Sequence, residues 1–183
     1  DIECYLKPGV AWAASRNADV QHLHRYAGFL NDRYGYDRME TLSREGLHEI
    51  CPSPDYSGGI LDMDAAHLHP LNLALGLTQA AKAAGARIFE QSAVRAIHEG
   101  ARVTVQTEAG RVAADHVVLA CNGYLGNLNR QVAARVMPIN NFIVATEPLG
   151  ESRARGLIRN NEAVVNSLYI VDYYRLSADN RML

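Results

Sequence analysis

The stretch RVAADHVVLACNGY, residues 111–124, contains the segment that decides the predicted fold. It begins with alternating residues and then runs apolar through the sequence VVLA. Such a short apolar run is typical of a strand buried on both faces, as in a parallel sheet that helices cover. The run ends at Cys121-Asn122-Gly123, where small residues let a backbone or a ligand approach. In open α/β sheets ligands lie at such strand ends, although a buried strand followed by an ordinary turn explains the same residues.

The residues before this stretch favour an α/β arrangement in the middle of the chain. Leu71 to Ala84 is apolar almost all round, which is typical of a buried helix, and Pro70 suits its first position. Gly85 ends that helix, and Ala86 to Glu90 returns as a strand. Helix, glycine and strand form half of a βαβ unit. Short alternating strands follow at 94–97, 102–107 and 111–114.

The two flanks have the pattern of antiparallel strands with added helices. Ile2 to Leu6 and Val10 to Ala14 are predicted as two strands joined by a Lys-Pro-Gly turn. Ala18 to Tyr34 is a helix that stops at Gly35, and Ser43 caps a short helix. Phe142 to Thr146 and Tyr169 to Leu176 are further predicted strands.

The predicted fold class is α+β with an α/β part. An antiparallel-sheet domain, formed by residues 1–62 and 136–183, is interrupted by an α/β domain at residues 63–135. A chain of 183 residues with 48% hydrophobic composition is long and apolar enough to bury a core.

The charge pattern excludes two classes of partner. Eighteen basic and twenty acidic residues give a net charge of −2 without runs of like charge, so we expect neither a nucleic-acid nor a membrane partner. No apolar segment approaches the roughly 20 residues that span a bilayer. The three cysteines are far apart, which favours reduced thiols in a cytoplasmic protein.

Two histidines and two aspartates at residues 62–69 carry groups that bind metals. An HxH pair is a weak motif by itself, so we expect no metal here. His69 is instead predicted at a helix start, and His67 near the domain junction. Cys121 has no histidine beside it in the sequence and is interpreted as a buried structural thiol rather than a nucleophile.

Taken together, six pieces of the chain resemble FAD-dependent oxidoreductases of the D-amino-acid oxidase superfamily, which includes glycine and sarcosine oxidases. The chain resembles in particular the γ-glutamylputrescine oxidoreductase branch, and the pieces keep the family's order. They are YSGGILD (56–62), HLHPLNLALGL (67–77), AAGARIFEQSAV (83–94), VVLACNGYLG (117–126), VMPINNFIVATEPLG (136–150) and DYYRLSADNRML (172–183).

The resemblance implies an FAD domain interleaved with a substrate domain, but one motif of the family is absent. No glycines have the GxGxxG spacing of the loop that holds the FAD diphosphate. The chain is therefore interpreted as an internal fragment whose FAD-binding domain is incomplete. We expect FAD in the full-length protein, and a colourless, inactive fragment by itself.

The resemblance also assigns site residues. Val94 corresponds to a position whose backbone meets the adenine, and Ala120, Cys121, Asn122 and Gly123 correspond to the second nucleotide-facing motif. On the substrate side, the last strand passes over the flavin. The substrate-side candidates are Tyr173, Tyr174 and Arg175 on that strand, together with His67 near the domain junction. The arginine would pair with a substrate carboxylate, although an ordinary exposed arginine on a strand explains it equally well. The catalytic residues themselves stay unassigned.

The activity that the resemblance implies is oxidation of a C–N bond in an amine or amino acid, by hydride transfer to FAD. A substrate similar to γ-glutamylputrescine, and hence a role in putrescine catabolism, follows from the branch. Two alternatives remain open: an NAD(P)-dependent dehydrogenase with a similar core, and a non-catalytic flavin-binding subunit. The full-length sequence would test the first, and turnover of amines the second.

Overall fold

The computed structural model describes residues 1–183, which form two compact units. Residues 1–81 and 143–183 form the first unit, and residues 82–142 form the second. The predicted domain limits at 62/63 and 135/136 stay a prediction about the whole protein. The helices and strands, in chain order, are β1 (Lys7–Ala14), α1 (Asn17–Tyr34), β2 (Met39–Leu42), α2 (Arg44–Ile50), β3 (Gly58–His67), α3 (Pro70–Ala83), β4 (Val94–His98), β5 (Val103–Thr107), β6 (Arg111–Ala114), α4 (Arg130–Ala133), α5 (Glu151–Leu157), β7 (Ala163–Asn166) and β8 (Tyr173–Tyr174).

The first unit is built on a five-stranded mixed sheet with the order β2-β3-β1-β7-β8. Its strands pair antiparallel, except that β1 and β7 run parallel. Ala11 lies opposite Leu61 on one side and Val164 on the other, so all three side chains share one face. That face packs against α2 and α5, whose buried residues include Leu47 and Ala154, respectively. We call it the helix-covered face.

The opposite face is only partly covered. Ile60 packs there against Leu23 and Ala27 of α1. Farther along the same face, Trp12 lies opposite Val165, which lies opposite Tyr173. The side chains of Trp12 and Tyr173 are 40% and 59% exposed. We call this uncovered part, across β1, β7 and β8, the open face.

Local signals in the sequence predicted the end of α1 and the start of α2 correctly. α1 ends at Gly35, which has φ 64° and donates its N–H to the carbonyl of Asn31. The Ser43 hydroxyl accepts a hydrogen bond from the N–H of Gly46 at the start of α2. The predicted pair of strands at residues 2–14 is wrong, because β1 is one strand. Its register shifts between Pro8 and Val10, and this bulge absorbs the Pro-Gly pair without a reversal of the chain.

The helix predicted to be buried is formed but not buried. α3 begins at Pro70, as predicted, and Gly85 with φ 91° follows its end. None of its residues is buried, and Leu75 is 55% exposed. Periodicity without a polar face indicates burial only if another surface is present to cover the helix. Residues 1–183 do not supply that surface.

The second unit has a three-stranded antiparallel sheet with the order β4-β5-β6. Leu125, 7% exposed, is its one buried hydrophobic residue. The predicted strands at 86–90 and 115–120 pair with no neighbour, and the one predicted at 142–146 joins no sheet. A strand of a parallel sheet needs partners on its flanks, and the chain offers none to these segments. The fold class is nevertheless confirmed, since the chain is a mixed α/β protein with two open sheets.

Candidate functional site

The cofactor-facing candidates of the second unit follow an unpaired segment. The backbone groups of residues 116–120 have no hydrogen-bond partner, although peptide groups normally pair unless solvent or a ligand reaches them. Ala120 and Asn122 are exposed, and Cys121 and Gly123 are half-buried. The interpretation of Cys121 as a buried thiol is therefore wrong for residues 1–183, because its side chain is only half-buried. The turn itself is a 3₁₀ helix, Asn122–Tyr124, which Asn122 enters with φ 49°.

Neither the backbone conformation nor the packing of the chain requires a glycine at position 123. Its φ is not positive, and a Cβ added to it would lie 3.6 Å from Cβ of Pro138, an ordinary contact. Conformation therefore does not demand glycine at this position, and the remaining reason for one is a close approach from outside the chain.

Val94 lies elsewhere in the second unit. It is the first residue of β4, pairs with Thr107, and precedes a register shift. It is exposed, and no hydrogen bond joins it to residues 120–123. Its assignment as the position that meets the adenine stays a prediction.

The two tyrosines of β8 lie on opposite faces of the first sheet. Tyr173 is on the open face, beside Val165 and in line with Trp12. The Tyr174 hydroxyl lies 3.1 Å from Sγ of Cys51 and donates to the Tyr56 hydroxyl at 3.2 Å. Burial, together with these hydrogen bonds, raises the pKa of Tyr174 well above its ordinary value. Of the pair, the Tyr173 side chain is therefore the one available to a ligand on the open face.

The structure brings two of the predicted substrate residues within electrostatic reach of each other. Nε2 of His67 lies 2.6 Å from the carbonyl oxygen of Asn161 and donates to it, while Nδ1 is buried without a partner. Burial lowers the pKa of His67; the hydrogen bond to Asn161 opposes this, and the positive charge of Arg175 lowers it further. Arg175 is half-buried and has no carboxylate partner, and burial lowers its own pKa. A cation without a counterion beside a neutral imidazole suits a ligand that brings its own negative charge.

The shifted pKa of His67 predicts that acid destabilises the chain. Because the folded chain holds this imidazole neutral, the unfolded chain binds the proton more readily. The stability that neutral His67 contributes is present above about pH 6.5 and is lost as the pH falls below it. We expect His67→Gln, which keeps a donor for Asn161, to flatten the fall in the free energy of unfolding as the pH drops below about 6.5. Urea titrations at a series of pH values measure this.

The matched control for that experiment is His22→Gln, since His22 is exposed on α1. This variant should keep the slope of the unaltered chain. If His67→Gln also keeps that slope, His67 does not titrate differently in the folded and unfolded states.

The acidic residues near the histidines form hydrogen bonds and an ion pair within the chain. Asp62 accepts hydrogen bonds from the Tyr36 hydroxyl and from the N–H groups of Asp64 and Ala65. The hydrogen bond from the Tyr36 hydroxyl to Asp62 raises the pKa of Tyr36 to about 12. Asp64 pairs with Arg38 at 3.0 Å. His69 accepts from the N–H of Asn72 at the start of α3, as predicted for a residue at a helix start. No group of three potential metal ligands occurs.

Two features of the site were missed by sequence reasoning. Trp12 is the single tryptophan, and its position on an alternating strand could have indicated that it faces outward on the open face. The contact between His67 and Asn161 joins residues 94 positions apart in the sequence, so no local sequence pattern predicts it.

Comparison with known proteins identifies the family of the chain. The family described as "FAD dependent oxidoreductase" matches residues 1–183. The chain belongs to this family. Gamma-glutamylputrescine oxidoreductase of Escherichia coli (strain K12) is 37% identical over 183 residues, which are 100% of this chain and 43% of that protein. "Probable oxidoreductase OrdL" of Haemophilus influenzae is 35% identical, again over 100% of this chain and 43% of that protein. The chain thus spans less than half the length of these curated relatives.

Solved structures of low sequence identity share the fold. Glycine oxidase from Geobacillus kaustophilus superposes with a TM-score of 0.73 at 19% identity, over 99% of this chain and 48% of that one. L-proline dehydrogenase from P. horikoshii gives a TM-score of 0.75 at 20% identity, over 98% and 48%. None of the helices combines the length and the apolar composition that crossing a membrane requires.

The size and accessibility of residues 120–123 are compatible with a contact to FAD. Residues 120–123 are small and accessible, and they follow backbone groups that have no partner. Small residues and free peptide groups are what a nucleotide phosphate or ribityl chain requires of a protein surface. These residues would line one side of the cofactor.

Proposed function

We propose that the protein containing this chain oxidises the C–N bond of a small amine or amino acid, with FAD as the hydride acceptor. Family membership supports the flavin, and it favours this reading over a nicotinamide-dependent dehydrogenase. The observation that supports a substrate with a carboxylate is the environment of Arg175. This residue is half-buried without a carboxylate partner, and its positive charge lowers the pKa of His67. A cytoplasmic location is part of the same proposal.

The chain's own residues would bind and orient the substrate. Trp12 and Tyr173 offer apolar area on the open face, which excludes water from the reacting carbon. Arg175 pairs with a carboxylate of the substrate. His67 stays neutral, because burial disfavours its imidazolium, and so does not repel an amine nearby. The chemistry that bound FAD would supply is acceptance of a hydride from the carbon next to the amine nitrogen.

The identity of the relative refines the substrate class. A chain 37% identical to gamma-glutamylputrescine oxidoreductase supports a diamine linked to a carboxylate-bearing group as the substrate. Such a molecule provides both the amine to be oxidised and an anion for Arg175.

The test is anaerobic bleaching of the flavin absorbance of the full-length protein by a panel of amines. γ-Glutamylputrescine should bleach the flavin faster than putrescine, which has the same amine and no carboxylate. Bound FAD that no amine reduces would support the non-catalytic flavin-binding subunit instead. Equal rates of bleaching with the two amines would contradict the proposal that Arg175 binds the substrate carboxylate.

Substitution of Gly123 tests where the cofactor lies. Because a Cβ meets only an ordinary contact inside the chain, Gly123→Val should leave folding unchanged. In the full-length protein we expect it to weaken FAD binding by at least about tenfold, since the new side chain occupies space that the cofactor approaches. FAD affinity, measured by fluorescence titration with folding checked by circular dichroism, gives the answer.

Cys121→Ser is the matched control for Gly123→Val. It changes a neighbouring residue at nearly constant volume and should change FAD affinity far less. A folded Gly123→Val variant that binds FAD as tightly as the unaltered protein would show that this turn does not face the cofactor.

A further inference from the structure

A cavity of about 260 Å³ lies on the helix-covered side of the first unit. Two of its lining residues, Ile158 and Leu176, belong to the core cluster of the helix-covered face. Trp12 and Tyr173 lie on the opposite face of the sheet, so the cavity does not open onto the open face. It adjoins the proposed substrate site at one point, because the lining residue Asn161 accepts a hydrogen bond from His67. Its volume is slightly below the range of roughly 300–1,000 Å³ that is typical of ligand pockets, which suits a molecule of few atoms.

The charges around the cavity are mainly positive. Lys7, Arg155 and Arg159 line it, against the single carboxylate of Glu151. That carboxylate is already paired with Arg155 at 3.0 Å. Lys7 forms no ion pair, and Arg159 has only Glu49 at 3.7 Å, with both side chains exposed. Lys7 and Arg159 therefore have no close ion-pair partner and remain available to an anion. The nearby buried carboxylate of Glu162 is used by hydrogen bonds from the backbone and side chain of Asn160.

Hydrogen-bonding groups around the cavity are also unused. The side-chain Oδ1 of Asn161 is buried without a partner, and an unsatisfied buried acceptor requires a donor from elsewhere. The Asn180 side-chain amide, which also lines the cavity, makes no hydrogen bond within the chain. Asn161 is held in place because its carbonyl accepts from His67 and its φ is 66°. The cavity thus offers cations for an anion and an acceptor for a hydroxyl or amino group.

From this combination we infer a second binding site, which takes a small carboxylate that also carries a hydrogen-bond donor. Lys7 and Arg159 bind the carboxylate. Asn161 accepts from the hydroxyl or amino group, and Ile158 and Leu176 contact the carbon chain. A phosphate ion satisfies the cations, but at neutral pH it is a poorer match to the acceptor and to the two apolar residues.

Titration of the full chain with L-malate, succinate and inorganic phosphate at constant ionic strength tests this site. Calorimetry or chemical-shift perturbation gives the dissociation constants. L-Malate should bind more tightly than succinate, which differs only by the hydroxyl, and more tightly than phosphate. Lys7→Gln and Arg159→Gln should each weaken L-malate binding by about tenfold or more, because each removes a charge-assisted hydrogen bond.

Two further variants make the test specific. Arg153→Gln removes a charge from α5 that does not line the cavity and should leave L-malate binding unchanged. Asn161→Gly keeps the backbone carbonyl and suits the positive φ, but it removes the acceptor. It should abolish the preference for L-malate over succinate while both still bind.

Each of the following outcomes would contradict the proposed second binding site. Absence of millimolar binding shows that the cavity is not a site. An equal loss in Arg153→Gln shows attraction by the general surface charge. Tighter binding of phosphate, or a preference for L-malate that survives Asn161→Gly, shows that the ligand class is wrong.

Discussion

Gly59→Ala is expected to destabilise the chain by about 4 kcal/mol or more, which is exceptional for the addition of one methyl group. Gly59 is the second residue of β3 and lies opposite Ala13 of β1. A Cβ built on it would lie 1.9 Å from the carbonyl oxygen of Trp12. The obstacle is backbone, so no side-chain rotation relieves it. The two strands would have to separate at the centre of the five-stranded sheet.

Gly28→Ala is the matched control for this experiment. Gly28 lies on the exposed side of α1, and a Cβ there meets nothing within 4 Å. Because alanine is a better helix former, this variant should be more stable by about 0.5–1 kcal/mol. Chemical denaturation of both variants measures the difference. A Gly59→Ala variant within about 1 kcal/mol of the unaltered chain would show that β1 and β3 do not approach as closely as the structure has them.

A pair of leucine substitutions tests where the core lies. Leu47 of α2 is 1% exposed and packs in the helix-covered cluster, so Leu47→Ala should cost roughly 2–5 kcal/mol. Leu75 of α3 is 55% exposed, and Leu75→Ala should change the free energy of unfolding by about 0.5 kcal/mol or less. The chemical change is the same in both variants, so the difference reports burial alone.

Urea denaturation of the two variants gives both values. A cost above about 2 kcal/mol for Leu75→Ala would mean that α3 is covered in solution. In that case, the apolar pattern of α3 would have predicted burial correctly, and a surface outside residues 1–183 or a second copy would have to supply the cover.

Several features of this protein were determined by the sequence alone, because they depend on neighbours a few residues apart. Ser43 caps α2 through a hydrogen bond to Gly46, and Gly35 ends α1 through one to Asn31. Pro70 marks the first residue of α3. The order of the six family motifs likewise lies in the sequence, and family membership is confirmed.

Only the tertiary structure decided burial, strand pairing and the site that residues distant in sequence create. The apolar segments 86–90 and 117–120 have the composition of buried strands but no partner strands within the chain, since pairing depends on distant segments. Tyr173 and Tyr174 are adjacent in sequence, yet the sheet places one on the open face and the other in the core. Lys7 and Asn161 meet at one cavity because β1 and β7 pair in parallel, which brings the two ends of the chain together.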